Sequence, residues 1–245
     1  MTLFDLLLVI TMQTFKRPHH QRIAQVLSAL DANLLRQHHC LFAGGTVIAM
    51  RYGEYRESVD MDFLVSNLAS YRALRELLKG ADVAKILREG AAGLIKSGEI
   101  RADQYGIRTM LASADTQIKF EIVHEGRFNL DPPGKHDELC GVSTLTPLDM
   151  ATSKLLANSD RWSDESVFTR DVIDLAMMRP TLPLLTKALA KSEVAYGADI
   201  KRDLDKVLAK LQHKEGLLER CMQVMAMTMS KAEVWQRLRA LRRVL

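Results

Sequence analysis

Between Gln21 and Gln37 the apolar residues Ile23, Val26, Leu27, Leu30 and Leu34 recur at steps of three and four. That is the spacing of one helical face, and it predicts an amphipathic helix ending near "RQHHC". The run "CLFAGG" reads as a short buried strand stopped by Gly44 and Gly45, with "TVIAMRYG" opening a helix beside those glycines. In "SVDMDFLVS" the period changes to two: Val59, Met61 and Phe63 alternate with Ser58, Asp60 and Asp62. A strand with that alternation turns its apolar set to the core and both carboxylates to the other face. "NLASYRALRELLKG" returns to helical spacing, with Asn67 placed as N-cap.

Residues 82–104 carry mixed signals and read as a variable helix and loop. Two further strands are predicted, "GIRTMLAS" and "TQIKFEIVHE", with a polar turn around Asp115 between them. In the second, Gln117, Lys119 and Glu121 share one face and Ile118, Phe120 and Ile122 the other, so a third carboxylate joins the polar side of a strand able to neighbour the Asp60 strand. The turn-rich "RFNLDPPGKHDELCG" marks a domain boundary. Beyond residue 145 only helical stripes follow: "LTPLDMATSKLLANSDRW", "TRDVIDLAMM" ending at Pro180, Asp199 to Leu211, and "KAEVWQRLRALRRVL". The expected architecture is α/β (α+β), a mixed sheet with flanking helices over residues 1–135, then a helical domain over 136–245.

Composition narrows this picture. With 245 residues, 47% of them hydrophobic, the chain can bury a substantial core. A net charge of +4 names no partner, but residues 201–245 hold 11 Lys or Arg against 5 Asp or Glu. That asymmetry suits either a polyanionic partner near the C-terminus or solvated basic helix faces. Cys40, Cys140 and Cys221 are far apart and odd in number, which excludes a disulfide scaffold and a zinc ligand set. The opening "MTLFDLLLVITMQTF" lacks a basic leading segment and carries Asp5, unlike a secretory signal, and no later run approaches the roughly 18 apolar residues of a membrane span. A cytoplasmic setting is expected.

The candidate chemistry lies in "GGTVIAMRYGEYRESVDMDF". Asp60 and Asp62 on one strand face, with Glu121 beside them, form a negative concavity that magnesium or manganese would relieve while accepting phosphate oxygens. A metal pair there would activate an attacking hydroxyl and steady a leaving pyrophosphate. Gly44 and Gly45 offer bare backbone at a helix start, where amides approach a phosphate closely, and Thr46 adds a hydroxyl. The competing reading is a solvated strand edge, since Asp-x-Asp alone is a weak signal. The histidine pairs His19–His20 and His38–His39 lack the spacing of a structural zinc site. "GGTV" lacks the lysine of a P-loop.

"LFAGGTVIAMRYGEYRESVDMDFLVS" resembles the first motif of the AbiEii-type nucleotidyltransferase family, within the DNA polymerase beta-like superfamily. "IKFEIV" resembles its second motif, and "LTPLDMATSKLLANSDR" with "TRDVIDL" its helical part. The resemblance implies that Asp60, Asp62 and Glu121 bind metal, that Gly44, Gly45, Thr46, Arg56 and Ser58 form the nucleotide-phosphate seat, and that Lys154 contacts triphosphate or substrate. It places Asp171 and Asp174 near the cleft. This sequence departs from the family pattern in Gly45-Thr46 for Gly-Ser, in Glu121 for the commoner aspartate and in Arg170 for lysine.

Alternatives stay open at several of these positions. Asp171 and Asp174, one helical turn apart, either take part in chemistry or grip Lys154 or Arg161. Arg56 either meets phosphate or ties its loop to Glu54 or Glu57. The expected activity is metal-dependent transfer of a nucleoside monophosphate from a nucleoside triphosphate, with Glu121 orienting or deprotonating the acceptor. RNA, and a transfer RNA end in particular, is the preferred acceptor, with Arg237, Arg239, Arg242 and Arg243 on its phosphates. The family resemblance adds a toxin role and an antitoxin partner. The rival readings are a small-molecule nucleotidyltransferase of the antibiotic-modifying kind and a degenerate member that binds nucleotide or partner without turnover.

Overall fold

The computed structural model describes residues 15–80, 83–91, 95–113 and 116–245. The apolar opening stretch up to Gln13–Thr14 and the turn at Asp115 lie outside the described residues.

The first predicted helix is two. α1 (Pro18–Ala29) and α2 (Ala32–Gln37) are separated at Leu30 and Asp31, where Leu30 turns extended and the Asp31 carboxylate accepts from the Asn33 and Leu34 amides. A good N-cap in mid-pattern restarts the helix although the apolar spacing runs through. β1 (Leu41–Ala43) then delivers the chain to α3 (Gly44–Arg51), which begins on the two glycines themselves. β2 (Met61–Val65) and α4 (Leu68–Leu77) follow, α4 capped by Asn67 as the sequence predicts.

The segment expected to be helix and loop contains two very short strands, β3 (Lys96–Ser97) and β4 (Arg101–Ala102), which pair with β5 (Gly106–Ser113). Two-residue strands carry no readable period, and pairing to β5 alone defines them. β6 (Thr116–His124) completes the sheet in the order β1-β2-β6-β5-β3, with β4 also on β5. β2 and β6 run parallel and set Asp62 opposite Glu121, while β1 lies antiparallel to β2 and sets Ala43 opposite Asp62. The sheet is therefore mixed, as the two alternating segments require.

A ribbon of β7 (Glu138–Leu139) and β8 (Val142–Ser143) leads into the helices. These are α5 (Pro147–Arg161), α6 (Arg170–Met177), α7 (Leu182–Tyr196), α8 (Asp199–His213), α9 (Leu217–Val224) and α10 (Lys231–Ala240). The expected boundary at residue 135 is crossed by backbone hydrogen bonding, since Leu145 donates to the Phe42 carbonyl and Thr144 bridges Phe42. Among the described residues no helix is long and apolar enough to cross a membrane.

Phe42, Phe63 and Phe120, from the three adjacent strands β1, β2 and β6, are fully buried with ring centroids 5.3 Å apart in sequence. They fill the face of the sheet opposite Asp62, so their packing holds the carboxylate-bearing strands in register. Truncating the central ring, Phe63→Ala, is expected to cost about 3–5 kcal/mol, read as a lowered urea midpoint with an unchanged denaturant slope.

Candidate active site

A cavity of about 120 Å³ is lined by Gly44, Gly45, Thr46, Arg56, Ser58, Asp60, Asp62, Lys154, Arg161, Arg170 and Asp171. It joins the end of β1, the start of α3 and the loop before β2 to helices α5 and α6. Nearly all the predicted site residues therefore meet in one place. Larger cavities exist, one of about 780 Å³ between Arg36, Asn67 and Lys135 where β2 runs out into α4, but it contains none of them.

The two glycines are explained by what presses on them. Gly44 has φ +75°, and a Cβ there would lie 2.4 Å from Asp62 Oδ2. A Cβ on Gly45 would lie 2.1 Å from Arg56 Nη2. Any side chain at either position displaces a charged group of the site. Ala43, the N-cap of α3, has no side-chain oxygen, so the amides of the first turn have no side-chain acceptor. Such a turn favours an anion.

Thr46 is buried, and its hydroxyl donates to the Asp60 carbonyl at 2.5 Å and meets Ser58 Oγ at 2.8 Å. The Thr46 hydroxyl, expected near phosphate, is here engaged inside the fold, where it fixes the loop that carries Asp60. Ser58 shares that bond.

Arg56 is only 5% exposed and sits on Asp174, with Nε to Oδ1 at 2.7 Å and Nη2 to Oδ2 at 2.9 Å. Neither Glu54 nor Glu57 takes its side chain, although Nη1 donates to the Glu57 carbonyl. Those two carboxylates instead receive the α1 entrance: Glu54 accepts from the Lys16 and Arg17 amides and meets His20, and Glu57 pairs with Arg17. Asp174 also accepts from Tyr55 Oη at 2.6 Å and pairs with Lys154 Nζ at 2.7 Å. Lys154 reaches Asp171 Oδ1 at 3.0 Å, and Arg161 holds Asp171 through Nε and Nη2. Asp171 and Asp174 thus grip Lys154, Arg161 and Arg56. These cations hold the Asp171 and Asp174 carboxyls below the usual range despite burial.

Arg170, on the same cavity wall, has no side-chain hydrogen bond or ion pair among the described residues. Four cations on this wall face two carboxylates. The opposite wall is its complement. Neither the Asp60 nor the Asp62 carboxylate has a hydrogen-bond or ion-pair partner among the described residues, and burial, with Asp60 next, pushes the Asp62 carboxyl up.

Glu121 lies beside Asp62 as expected, yet both of its oxygens are taken. Arg108 Nε donates to Oε1 at 2.6 Å, and Lys119 Nζ meets Oε2 at 3.0 Å. Among the described residues no group of three His, Cys, Asp or Glu side chains is placed to hold a metal. The free Asp60 and Asp62 pair does fit a divalent cation, since an uncompensated pair of half-buried carboxylates is what such an ion neutralises. Sequence reasoning missed Arg108 as the partner of Glu121 and Arg170 as an unengaged cation. The strand register carries a signal for the first, because Arg108 is directly opposite Glu121.

Residues 25–240 match the family described as nucleotidyl transferase AbiEii toxin of type IV toxin–antitoxin systems. No curated protein matches the chain. Three solved structures, each 17% identical, resemble it over most of both chains: JHP933 from Helicobacter pylori (TM-score 0.49, 94% of this chain and 95% of that one), an H. pylori protein described as a candidate nucleotidyltransferase (0.47, 94% and 97%) and the nucleotidyltransferase toxin MenT4 from Mycobacterium tuberculosis (0.34, 92% and 95%).

Two outcomes follow from the electrostatics. Asp174→Ala leaves Arg56, Lys154 and Tyr55 buried without their shared acceptor and is expected to destabilise the fold by about 3–5 kcal/mol, measured by chemical denaturation. Asp62→Asn acts in the opposite direction. A carboxyl raised in the folded state opposes folding once it ionises, so the substitution raises the melting temperature at neutral pH in metal-free buffer. The gain shrinks as pH falls toward the ordinary Asp value of 3.8, where both states bind the proton.

Proposed function

Because the chain belongs to the AbiEii nucleotidyltransferase toxin family of type IV toxin–antitoxin systems, and is a nucleotidyltransferase, we propose that its small polar cavity transfers a nucleoside monophosphate from a nucleoside triphosphate to an acceptor hydroxyl. The observation that supports this reading is the opposition of two carboxylates without partners among the described residues, Asp60 and Asp62, to a wall bearing Arg170, Arg161 and Lys154. One wall suits a cation and the other a polyphosphate, which is the charge pattern of a metal-bound nucleotide.

Asp60 and Asp62 would hold magnesium or manganese, which when bound draws charge from phosphate oxygens during displacement. The uncapped first turn at Gly44 and Gly45 presents its amides to the triphosphate. Arg170 supplies a cation with no other partner among the described residues, and Arg161 keeps donor capacity beyond Asp171. Lys154, fixed between Asp171 and Asp174, contributes positive potential and holds α5 against α6. Arg56 acts from below, fixing the loop that aims Asp60. In the reaction the acceptor oxygen forms a bond to the α-phosphorus, the bond from that phosphorus to the bridging oxygen breaks, pyrophosphate leaves, and the hydroxyl proton passes to water. Positioning and electrostatic stabilisation account for such chemistry.

RNA is the acceptor we favour, with a transfer RNA end as the first form to test. Supporting it is a second cavity of about 490 Å³ where α6 runs out, lined by Arg179, Arg237 and Arg243 with Gln236 and Thr181. Of the four arginines expected on phosphates, Arg242 is engaged by Asp205 on α8, and Arg243 donates to the Pro180 carbonyl while still facing this cavity. The setting we propose is the cytoplasm, with a cognate antitoxin as protein partner.

The test is incubation of the protein with each labelled nucleoside triphosphate, magnesium or manganese, and in turn total RNA, a protein mixture and aminoglycoside-type small molecules. Label is expected in RNA, and the D60A/D62A chain is expected to lose at least about 10²-fold in rate. Equal labelling by the double variant overturns the catalytic assignment. Label in protein or small molecule alone overturns the acceptor.

A further inference from the structure

The carboxylate on β6 is not available as a ligand in the way a two-ion site needs. Glu121 is held on both oxygens by cations of the chain itself, Arg108 from β5 and Lys119 from its own strand. Lys119 is two residues before Glu121, so both project from the same face of β6 toward the polar side of the sheet. On the neighbouring strand Asp62 is in register with Glu121. The Lys119 ammonium accordingly feels Asp62 and Asp60 as well as Glu121. Bonded to Glu121, it is held on the same face of the sheet as the β2 pair, where its charge competes with a second ion. Arg108 closes the far side of Glu121 and is itself steadied by Asp103 at 3.1 Å. By contrast Asp60 and Asp62 have no such partners among the described residues.

We infer that this site takes a single divalent cation, on Asp60 and Asp62, and that the Lys119 ammonium is a built-in replacement for the second. The inference rests on the nucleotidyltransferase reading above and sharpens it. Glu121 is then a positioning residue: it anchors Lys119 beside the two aspartates and neither ligates metal nor accepts the acceptor's proton. A fixed monovalent cation of this kind offsets part of the charge that gathers around the α-phosphate, and it needs no metal from solution. Arg108 keeps Glu121 turned toward Lys119.

The count of bound ions tests this without turnover. Mn²⁺ is measured by equilibrium dialysis on the full chain saturated with a nonhydrolysable nucleoside triphosphate analogue. One ion per chain is expected for the wild type, two for Lys119→Met, which keeps the side-chain stem and vacates the charge, and one again for Lys119→Arg. The melting temperature of each variant verifies folding. In a parallel rate measurement the Mn²⁺ dependence changes from first order in the wild type to second order in Lys119→Met, with activity recovering at high Mn²⁺. Two ions on the wild type overturn the single-ion inference and leave the nucleotidyltransferase reading standing. No ion on the wild type, or one that survives D60N/D62N, overturns the metal assignment on which both depend. A Lys119→Met chain that folds and still binds one ion shows that Lys119 fills no metal position.

Discussion

Asp174 receives four donor atoms while fully buried: the Tyr55 hydroxyl, two nitrogens of Arg56 and the Lys154 ammonium. Everything around the cavity depends on that meeting. Arg56 and Tyr55 lie on the loop that precedes β2, Lys154 on α5 and Asp174 on α6, so one buried anion ties the sheet to the helices. A buried ion pair of this kind is a poor source of net stability, because desolvation consumes much of the attraction. Its value is in geometry. The guanidinium meets both carboxylate oxygens at once and so fixes the loop against α6, with Asp60 in the same cavity as the cationic wall. Gly45 belongs to the same constraint, as Arg56 crosses its Cα too closely for any side chain.

The same region separates two treatments of acidic groups. Asp171, Asp174 and Glu121 are each neutralised by at least two cations. Among the described residues Asp60 and Asp62 have no partner; they stand one residue apart and half-buried, at a cost that burial and mutual repulsion impose on the folded chain. A fold that pairs its other buried acids so thoroughly has cations within reach, Lys119 and Lys154 among them, yet brings none into contact here. Stability is given up locally at the proposed binding site, which is the usual relation between an active site and its scaffold.

Much of this was legible in the sequence because it is periodic. Alternation in "SVDMDFLVS" and "TQIKFEIVHE" assigned the strands and the faces of Asp62 and Glu121, and apolar stripes located four of the helices from Pro147 onward, but not Leu182–Tyr196 or Leu217–Val224. What escaped lacks a local signature. The break at Leu30 and Asp31 interrupts an unbroken apolar stripe, and only the capping bonds of Asp31 reveal it. β3 and β4 exist through pairing with β5. Arg56 finds its partner 118 positions away, while two closer glutamates belong to Arg17 and His20. Thr46 stands in a motif position that suggests phosphate, yet its hydroxyl serves the neighbouring loop. A motif identifies which residues gather; side-chain partners decide which remain free to act.

The loop that carries Asp60 has one more attachment, to a segment distant from it in sequence. The Glu57 amide donates to the Met225 carbonyl, the Thr228 amide to Tyr55, and Arg17 reaches Ala226. The segment that braces the loop thus lies more than 160 positions further along the chain than the loop itself. The glycines and both aspartates can all be present in a stretch of sequence that lacks this brace, so the contiguous motif does not carry its own geometry: part of it is held from Met225 to Thr228.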